Sequence, residues 1–205
     1  GGIGLIENLD HIATLKGAQA GDELLLIGEA PMHLGASAYA RVILGLDGVP
    51  AGSPPRVDLS AERRNADLIR TLIAQGLANA VHDVSEGGIV CAAAEMALAA
   101  NLPINIAPDI NAQDADRKHT PMNRMGLLFG EDQANYLIAA NAQQREAILA
   151  LAKKQKLEWL VYSIGMFEGE GIQFFADTET RTAVPLATLR AAHEGWLPTY
   201  MAGAS

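Results

Sequence analysis

Five residues that could do chemistry stand together in the stretch AVHDVSEGGIV (Ala80 to Val90): Asp83, Ser85, Glu86, Gly87 and Gly88. An apolar run precedes them and the alanine-rich CAAAEMALAA follows, so the group falls where a strand hands over to a helix. A helix starting near Gly87 would offer unpaired amides and a partial positive charge to an anion. Two glycines let a backbone approach a phosphate with no Cβ in the way. Asp83, just past the strand end, is a hard oxygen ligand suited to Mg²⁺. Ser85 could donate to a phosphate oxygen. The same residues also suit a tight turn in which Ser85 or Glu86 caps the helix, and the stretch alone leaves both readings open. It is not a Walker A loop, because the lysine and the spacing are absent.

Two further stretches have a similar character. In LFGEDQAN an apolar run ends in Gly130, Glu131 and Asp132. Either acid could hold a metal, or the segment is a solvated turn between strands. In HLGASAY, Gly35 and Ser37 precede a helical pattern, again as an anion-friendly start or a plain cap. His11, His33, His82, His119 and His193 are scattered without metal-ligand spacing. His82 could orient Asp83, or it is a strand-end histidine satisfied by backbone. The single cysteine, Cys91, excludes an internal disulfide and reads as a buried structural thiol.

The elements that must position these residues follow from periodicity. DELLLIGEA (Asp22 to Ala30) reads as a buried strand, and Ser37 can cap a helix running to about Leu46. From Asp58 the spacing of Leu68, Ile69, Leu72, Ile73 and Leu77 predicts a helix ending near Gly76. A strand at Ala80 to His82, a helix from Gly88 to Ala100 and a strand within Leu102 to Ala107 come next. The polar segment PDINAQDADRKHTPMNR has no period and reads as a loop or partly helical excursion. Met125 to Ala140 reads as two strands broken at GEDQ. Asn141 with Gln144 starts a further helix as a capping box. Trp159 to Phe175 reads as a hairpin turning at Glu168 to Gly171, and a short helix closes the chain. Ile3 to Ile6 reads as the last strand of a preceding domain. Strands and helices intermix without strict alternation, which predicts an α+β fold: a mixed β-sheet covered by helices, with a partial ferredoxin-like topology.

Composition bounds the rest. The 205 residues are 49% apolar and 19% charged, ordinary for a globular domain with a core built largely from aliphatic side chains. A formal charge of -9 and the lack of a basic run argue against a nucleic-acid partner. No stretch approaches the ~18 consecutive apolar residues that a membrane span needs. The opening GGIGLIENL looks like the interior of something longer, and the chain reads as a fragment.

Taken in order, LGASAY, HDVSEGGIVCAAAEMALAA and LFGEDQANYLI resemble the C-terminal portion of the small type of phosphoribosylformylglycinamidine synthase synthetase subunits, within the AIR synthase-related ATP-binding superfamily. GGIGLIENLDHI resembles the end of the preceding domain and AAHEGWLPTYM the C-terminal tail, so the resemblance covers nearly the whole chain. It implies that residues 1–16 are the tail of a preceding domain and residues 17–205 an AIR synthase-related C-terminal domain. The implied reaction is a cytoplasmic, ATP- and Mg²⁺-dependent amidation. The formyl amide oxygen of formylglycinamide ribonucleotide is phosphorylated, and ammonia derived from glutamine displaces phosphate to give the amidine. Implied partners are a glutamine amidotransferase subunit, a small accessory subunit and the missing N-terminal domains of the same chain. By position the resemblance gives Asp83, Ser85, Gly87, Gly88 and Gly130 to ATP, Glu131 and Asp83 to the metal, and Gln133 to the substrate. The catalytic histidine segment is absent, so the fragment alone is expected to be inactive. Another ATP-dependent enzyme of the superfamily and a non-catalytic nucleotide-binding scaffold are the alternatives.

Overall fold

The computed structural model describes residues 3–6, 8–9, 12–48, 51–107, 121–175 and 181–203. Among these residues, seven strands form one mixed sheet: β1 (Glu23–Ile27), β2 (Ala80–Asp83), β3 (Ile104–Ile106), β4 (Tyr136–Ala140), β5 (Val161–Met166), β6 (Ile172–Phe175) and β7 (Arg181–Val184). Their spatial order is β2-β4-β1-β5-β3-β6-β7. Five α-helices among the described residues cover it: α1 (Leu59–Ala74), α2 (Gly88–Ala100), α3 (Pro121–Phe129), α4 (Ala142–Lys154) and α5 (Leu186–Met201).

The unbroken run of apolar residues in β1 is explained by burial on both faces. Leu24 and Leu26 enter one core with Leu137, Ala139 and the α2 residues Ala92, Ala93, Met96 and Ala97. Leu25 and Ile27 enter the other, against Leu68 and Leu72 of α1 and Ile148 and Ala152 of α4. Successive side chains of a strand point to opposite faces, so one five-residue strand serves both layers. β1-α1-β2 and β4-α4-β5 thus form two βαβ units interleaved as β2-β4-β1-β5, a ferredoxin-like arrangement. The segment containing α2, β3 and α3 is inserted between these units. α1 is started by Asp58, whose carboxylate accepts from the amides of Ser60 and Ala61. Those amides hold the Asp58 carboxyl below its usual range.

Several expectations are corrected. Met125 to Phe129 lies in α3 rather than in a strand. A short apolar run cannot distinguish the two by periodicity, and here Gly126 lets α3 press on the loop that follows β1, since a Cβ there would meet the Met32 carbonyl oxygen at 3.0 Å. Val161 to Phe175 is not a hairpin. β3 lies between β5 and β6, antiparallel to the first and parallel to the second. Gly165 admits it: a Cβ there would fall 2.3 Å from the Asn105 carbonyl oxygen. The final helix is 16 residues long rather than short, and β7 was not anticipated. Ser37 caps only a single wide turn, Tyr39–Ile43. Ile3 to Ile6 forms no strand, and Ile3 and Leu5 are fully exposed. Cys91 is exposed rather than buried, because Ile89, Ala92, Ala93 and Met96 take the packed arc of α2. Most of the polar excursion, with His119, and also His11, lie outside the described residues. The helix spanning Asp58 to Gly76 and the capping box at Asn141 and Gln144 are as the spacing predicts.

Candidate functional site

β2 ends at Asp83, and the chain turns through Val84, Ser85 and Glu86 into α2. Gly87 and Gly88 both have positive φ, 84° and 70°, where side chains are strained. Space enforces glycine as well: a Cβ on Gly88 would sit 2.7 Å from the Cα of Phe129, and one on Gly87 2.3 Å from Cys91 Sγ. The turn is therefore stacked on the GED segment that follows α3.

No side chain caps α2, so neither Ser85 nor Glu86 has that role. The turn is held from a distance instead. Glu131 Oε1 accepts from the Gly87 amide at 2.8 Å and from the Ala38 amide at 2.7 Å. Asp132 Oδ2 accepts from the amides of Met32 and His33, both at 2.7 Å. The Gly88 amide donates to the Ser85 carbonyl at 3.1 Å. The three sequence stretches thus meet at one junction, where two carboxylates tie the loop before Tyr39 and the turn before α2 to one point. Hydrogen bonds from backbone amides to an ionised carboxylate are among the stronger ones. The Gly87 and Gly88 amides, which a phosphate would use at this helix start, are both engaged within the chain.

Asp83 stands apart from that clamp. Its side chain is 70% exposed. With Ser85 and Gln133 it borders an open depression of about 340 Å³, together with Glu62 and Tyr136. Of the residues expected at a site, the fold therefore gathers Asp83, Ser85 and Gln133 on the depression, and Gly87, Gly88, Gly130 and Glu131 in the packed junction behind it. His82 is nearly buried, its side chain 15% exposed, and is engaged by side chains rather than backbone. Nδ1 lies 3.2 Å from Asp83 Oδ1 and Nε2 lies 2.7 Å from Glu95 Oε2. Each carboxylate receives an N–H only when both ring nitrogens carry protons.

Sequence reasoning missed Glu62 and Tyr136. Neither belongs to a motif; strand register alone pairs Tyr136 with Asp83, and α1 brings Glu62 to the phenol, which donates to its Oε1. Burial, then this bond to a carboxylate, push the Tyr136 phenol far above its usual range. It is a donor at any ordinary pH. Among the described residues, no cluster of three or more histidines, cysteines and acids is arranged to hold a metal by itself. A cation at Asp83 would need oxygens from elsewhere.

A ferredoxin-like sheet with an inserted α2, entered through an acid and a glycine pair, defines an AIR synthase-related C-terminal domain. Residues 19–176 match the family described as AIR synthase related protein, C-terminal domain, and the chain belongs to that family. Its relatives carry a narrower name. It is 38% identical over 204 residues to the phosphoribosylformylglycinamidine synthase subunit PurL of Methylocella silvestris, covering 100% of this chain and 25% of the relative. It is 40% identical over 201 residues to the subunit of the same name from Caulobacter vibrioides, covering 98% of this chain and 24% of that one. The chain thus spans about a quarter of the length of these curated relatives. Among solved structures it resembles T. maritima PurL complexed with FGAR, with a TM-score of 0.67 and 19% identity over 88% of this chain and 30% of that one. It also resembles E. coli HypE, with a TM-score of 0.54 and 23% identity over 85% of this chain and 52% of the other. These likenesses show a shared fold. Among the described residues, no helix is long and apolar enough to cross a membrane.

Proposed function

We propose that the chain serves as the C-terminal domain of a phosphoribosylformylglycinamidine synthase, an ATP-dependent C–N ligase, and forms one edge of a nucleotide site completed by other domains. The observation that carries this reading is the end-to-end match, at 37–40% identity, to curated relatives of that name. Residues 1–16 are then the tail of the preceding domain.

The donor set fits ATP and Mg²⁺ in part. Asp83 offers an exposed carboxylate of the hard-oxygen kind that Mg²⁺ prefers. Ser85, exposed and free of a capping role, is placed to donate to a phosphate oxygen. Gly87, Gly88 and Gly130 support that edge by letting the turn and α3 touch. Glu131 would approach a cation only while still holding two amides, so its first role is the clamp. Bound Mg-ATP would supply the phosphoryl group that activates the formyl amide oxygen of the ribonucleotide. The chain's own part is to hold the exposed Asp83 at the end of β2 and Ser85 in the turn after it, and to present Gln133 beside them. Phosphoryl transfer depends on positioning by groups from several domains, so the 205 residues alone are inactive. The amidotransferase and accessory subunits would deliver ammonia to the assembled enzyme.

The test is a chimaera in which this chain replaces the matching quarter of the Methylocella silvestris relative. Phosphate release dependent on ATP, formylglycinamide ribonucleotide and ammonium is expected from the chimaera and not from the chain alone. An inactive, folded chimaera, or steady turnover by the isolated chain, would overturn the proposal.

A further inference from the structure

Glu95 is the one charged residue of α2, in the sequence GIVCAAAEMALAA. Ala92, Ala93 and Met96 take the packed arc of the helix, and Glu95 stands on its flank with its side chain 45% exposed. Its carboxylate is not left to water. Oε2 lies 2.7 Å from Nε2 of His82, thirteen residues earlier on β2, the distance of a charge-assisted hydrogen bond.

A histidine does not choose its own ring orientation, because its χ2 torsion is broad and roughly twofold. A half-turn of the ring exchanges Nδ1 with Cδ2 and Nε2 with Cε1. For His82 that half-turn would lose both of its contacts, the one to Glu95 and the one at 3.2 Å from Nδ1 to Asp83 Oδ1. The shorter contact anchors the ring, and the longer one is its consequence. Asp83 needs such an anchor: its side chain is 70% exposed, and among the described residues the hydrogen-bond partner of its carboxylate is His82 alone. Tyr136, its partner in strand register, gives its hydroxyl to Glu62 instead.

We propose that Glu95 is a positioning residue for Asp83 and acts through His82. It fixes the imidazole so that Nδ1 holds the Asp83 carboxylate in one rotamer at the border of the depression. Glu95 touches no ligand itself. A carboxylate already held has less freedom to lose when it meets a cation, and groups that orient a metal-binding residue from behind contribute to metal affinity in the same way. That the held carboxylate serves Mg²⁺ rests on the nucleotide reading; the holding itself does not.

The rotamer of Asp83 is measured in the isotope-labelled 205-residue chain. Three-bond couplings from its carboxylate carbon to its backbone nitrogen and carbonyl carbon report χ1. The wild type should show one rotamer. Glu95→Leu, which keeps the bulk and removes the acceptor, should give averaged couplings, and His82→Phe should do the same. Glu95→Gln should keep the single rotamer, because its amide still engages Nε2 while Nδ1–H stays on Asp83. Glu95→Leu added to His82→Phe should change nothing further. Averaged couplings in the wild type, one rotamer in Glu95→Leu, or equal couplings in the Leu and Gln variants would overturn the proposal. Should His82→Phe fail to fold, the Leu and Gln pair decides.

The consequence is read by calorimetric titration of the chimaera with ATP and Mg²⁺. Glu95→Leu should weaken Mg²⁺-dependent affinity about tenfold, and Glu95→Gln should stay within about twofold of wild type. Glu95→Leu should add nothing in an Asp83→Asn background, whereas a merely structural role would weaken both backgrounds alike. A loss in Asp83→Asn with none in Glu95→Leu would overturn the positioning role and leave the nucleotide reading standing. Unchanged affinity in Asp83→Asn would overturn the nucleotide reading, and the couplings would still decide the positioning.

Discussion

Two helices of this domain begin in contrasting ways. α4 is closed by its own sequence: Asn141 accepts from the Gln144 amide at 2.9 Å and Gln144 returns to the Asn141 amide at 2.8 Å. α2 begins at Gly87, without any side-chain cap, and is held by Glu131, 44 residues further along. The first start is closed within its own first turn, and Gln144 Nε2 also donates to the Gly76 carbonyl at 3.1 Å and to Asn79 Oδ1 at 2.8 Å. In the second, fixation is handed to a remote carboxylate, and Asp83 and Ser85 are left exposed.

The largest way to break this contrast is Gly88→Ala. A methyl group 2.7 Å from the Phe129 Cα, on a backbone at positive φ, should cost about 3 kcal/mol. Denaturant unfolding would show it, and a change below about 1 kcal/mol would mean that α3 yields easily. Next comes Glu131→Gln, which weakens both amide contacts and should cost about 2 kcal/mol. Hydrogen exchange should rise at Ala38 and Gly87 together; a rise at one alone would divide the clamp. Sharpening follows from a matched pair: Asn141→Ala should cost about 1 kcal/mol, whereas Ser85→Ala should stay within about 0.5 kcal/mol. Equal losses would restore Ser85 as a cap.

The smallest effect concerns Cys91. Although exposed, its thiol is pushed above its ordinary pKa, first by desolvation and then by Glu95, Glu131 and Glu86. The thiolate is the reactive form, so a raised pKa means little thiolate at neutral pH. Alkylation should be slow at pH 7, with a rate midpoint above 9.0, the ordinary value of the group. A midpoint at or below that value would mean that the three acids are too far away or too well screened to matter.

What the sequence disclosed followed the range of each interaction. The start of α1 at Asp58, the Asn141–Gln144 box and the extent of α2 depend on residues within a turn of one another, and were legible. The placement of β3 between β5 and β6 was not, because Glu168 to Gly171 makes as plausible a hairpin as a crossover. Only Gly165, seen against Asn105, shows why the other pairing wins. At the site, the acids and glycines were visible as types, but their division was not. Which carboxylate binds amides and which stays open depends on the loop before Tyr39, a contact made across 93 residues from Ala38 to Glu131. Glu62 and Tyr136 had no signal at all short of the register of β4.

In the proposed function, the open edge at Asp83, rather than the clamped one at Glu131, meets the nucleotide and its cation. Calorimetric titration of the chimaera with ATP, with and without Mg²⁺, tests it most directly when wild type and Asp83→Asn are compared at equal melting temperature. At least a tenfold loss of Mg²⁺-dependent affinity is expected in Asp83→Asn; an unchanged affinity would contradict the proposed site.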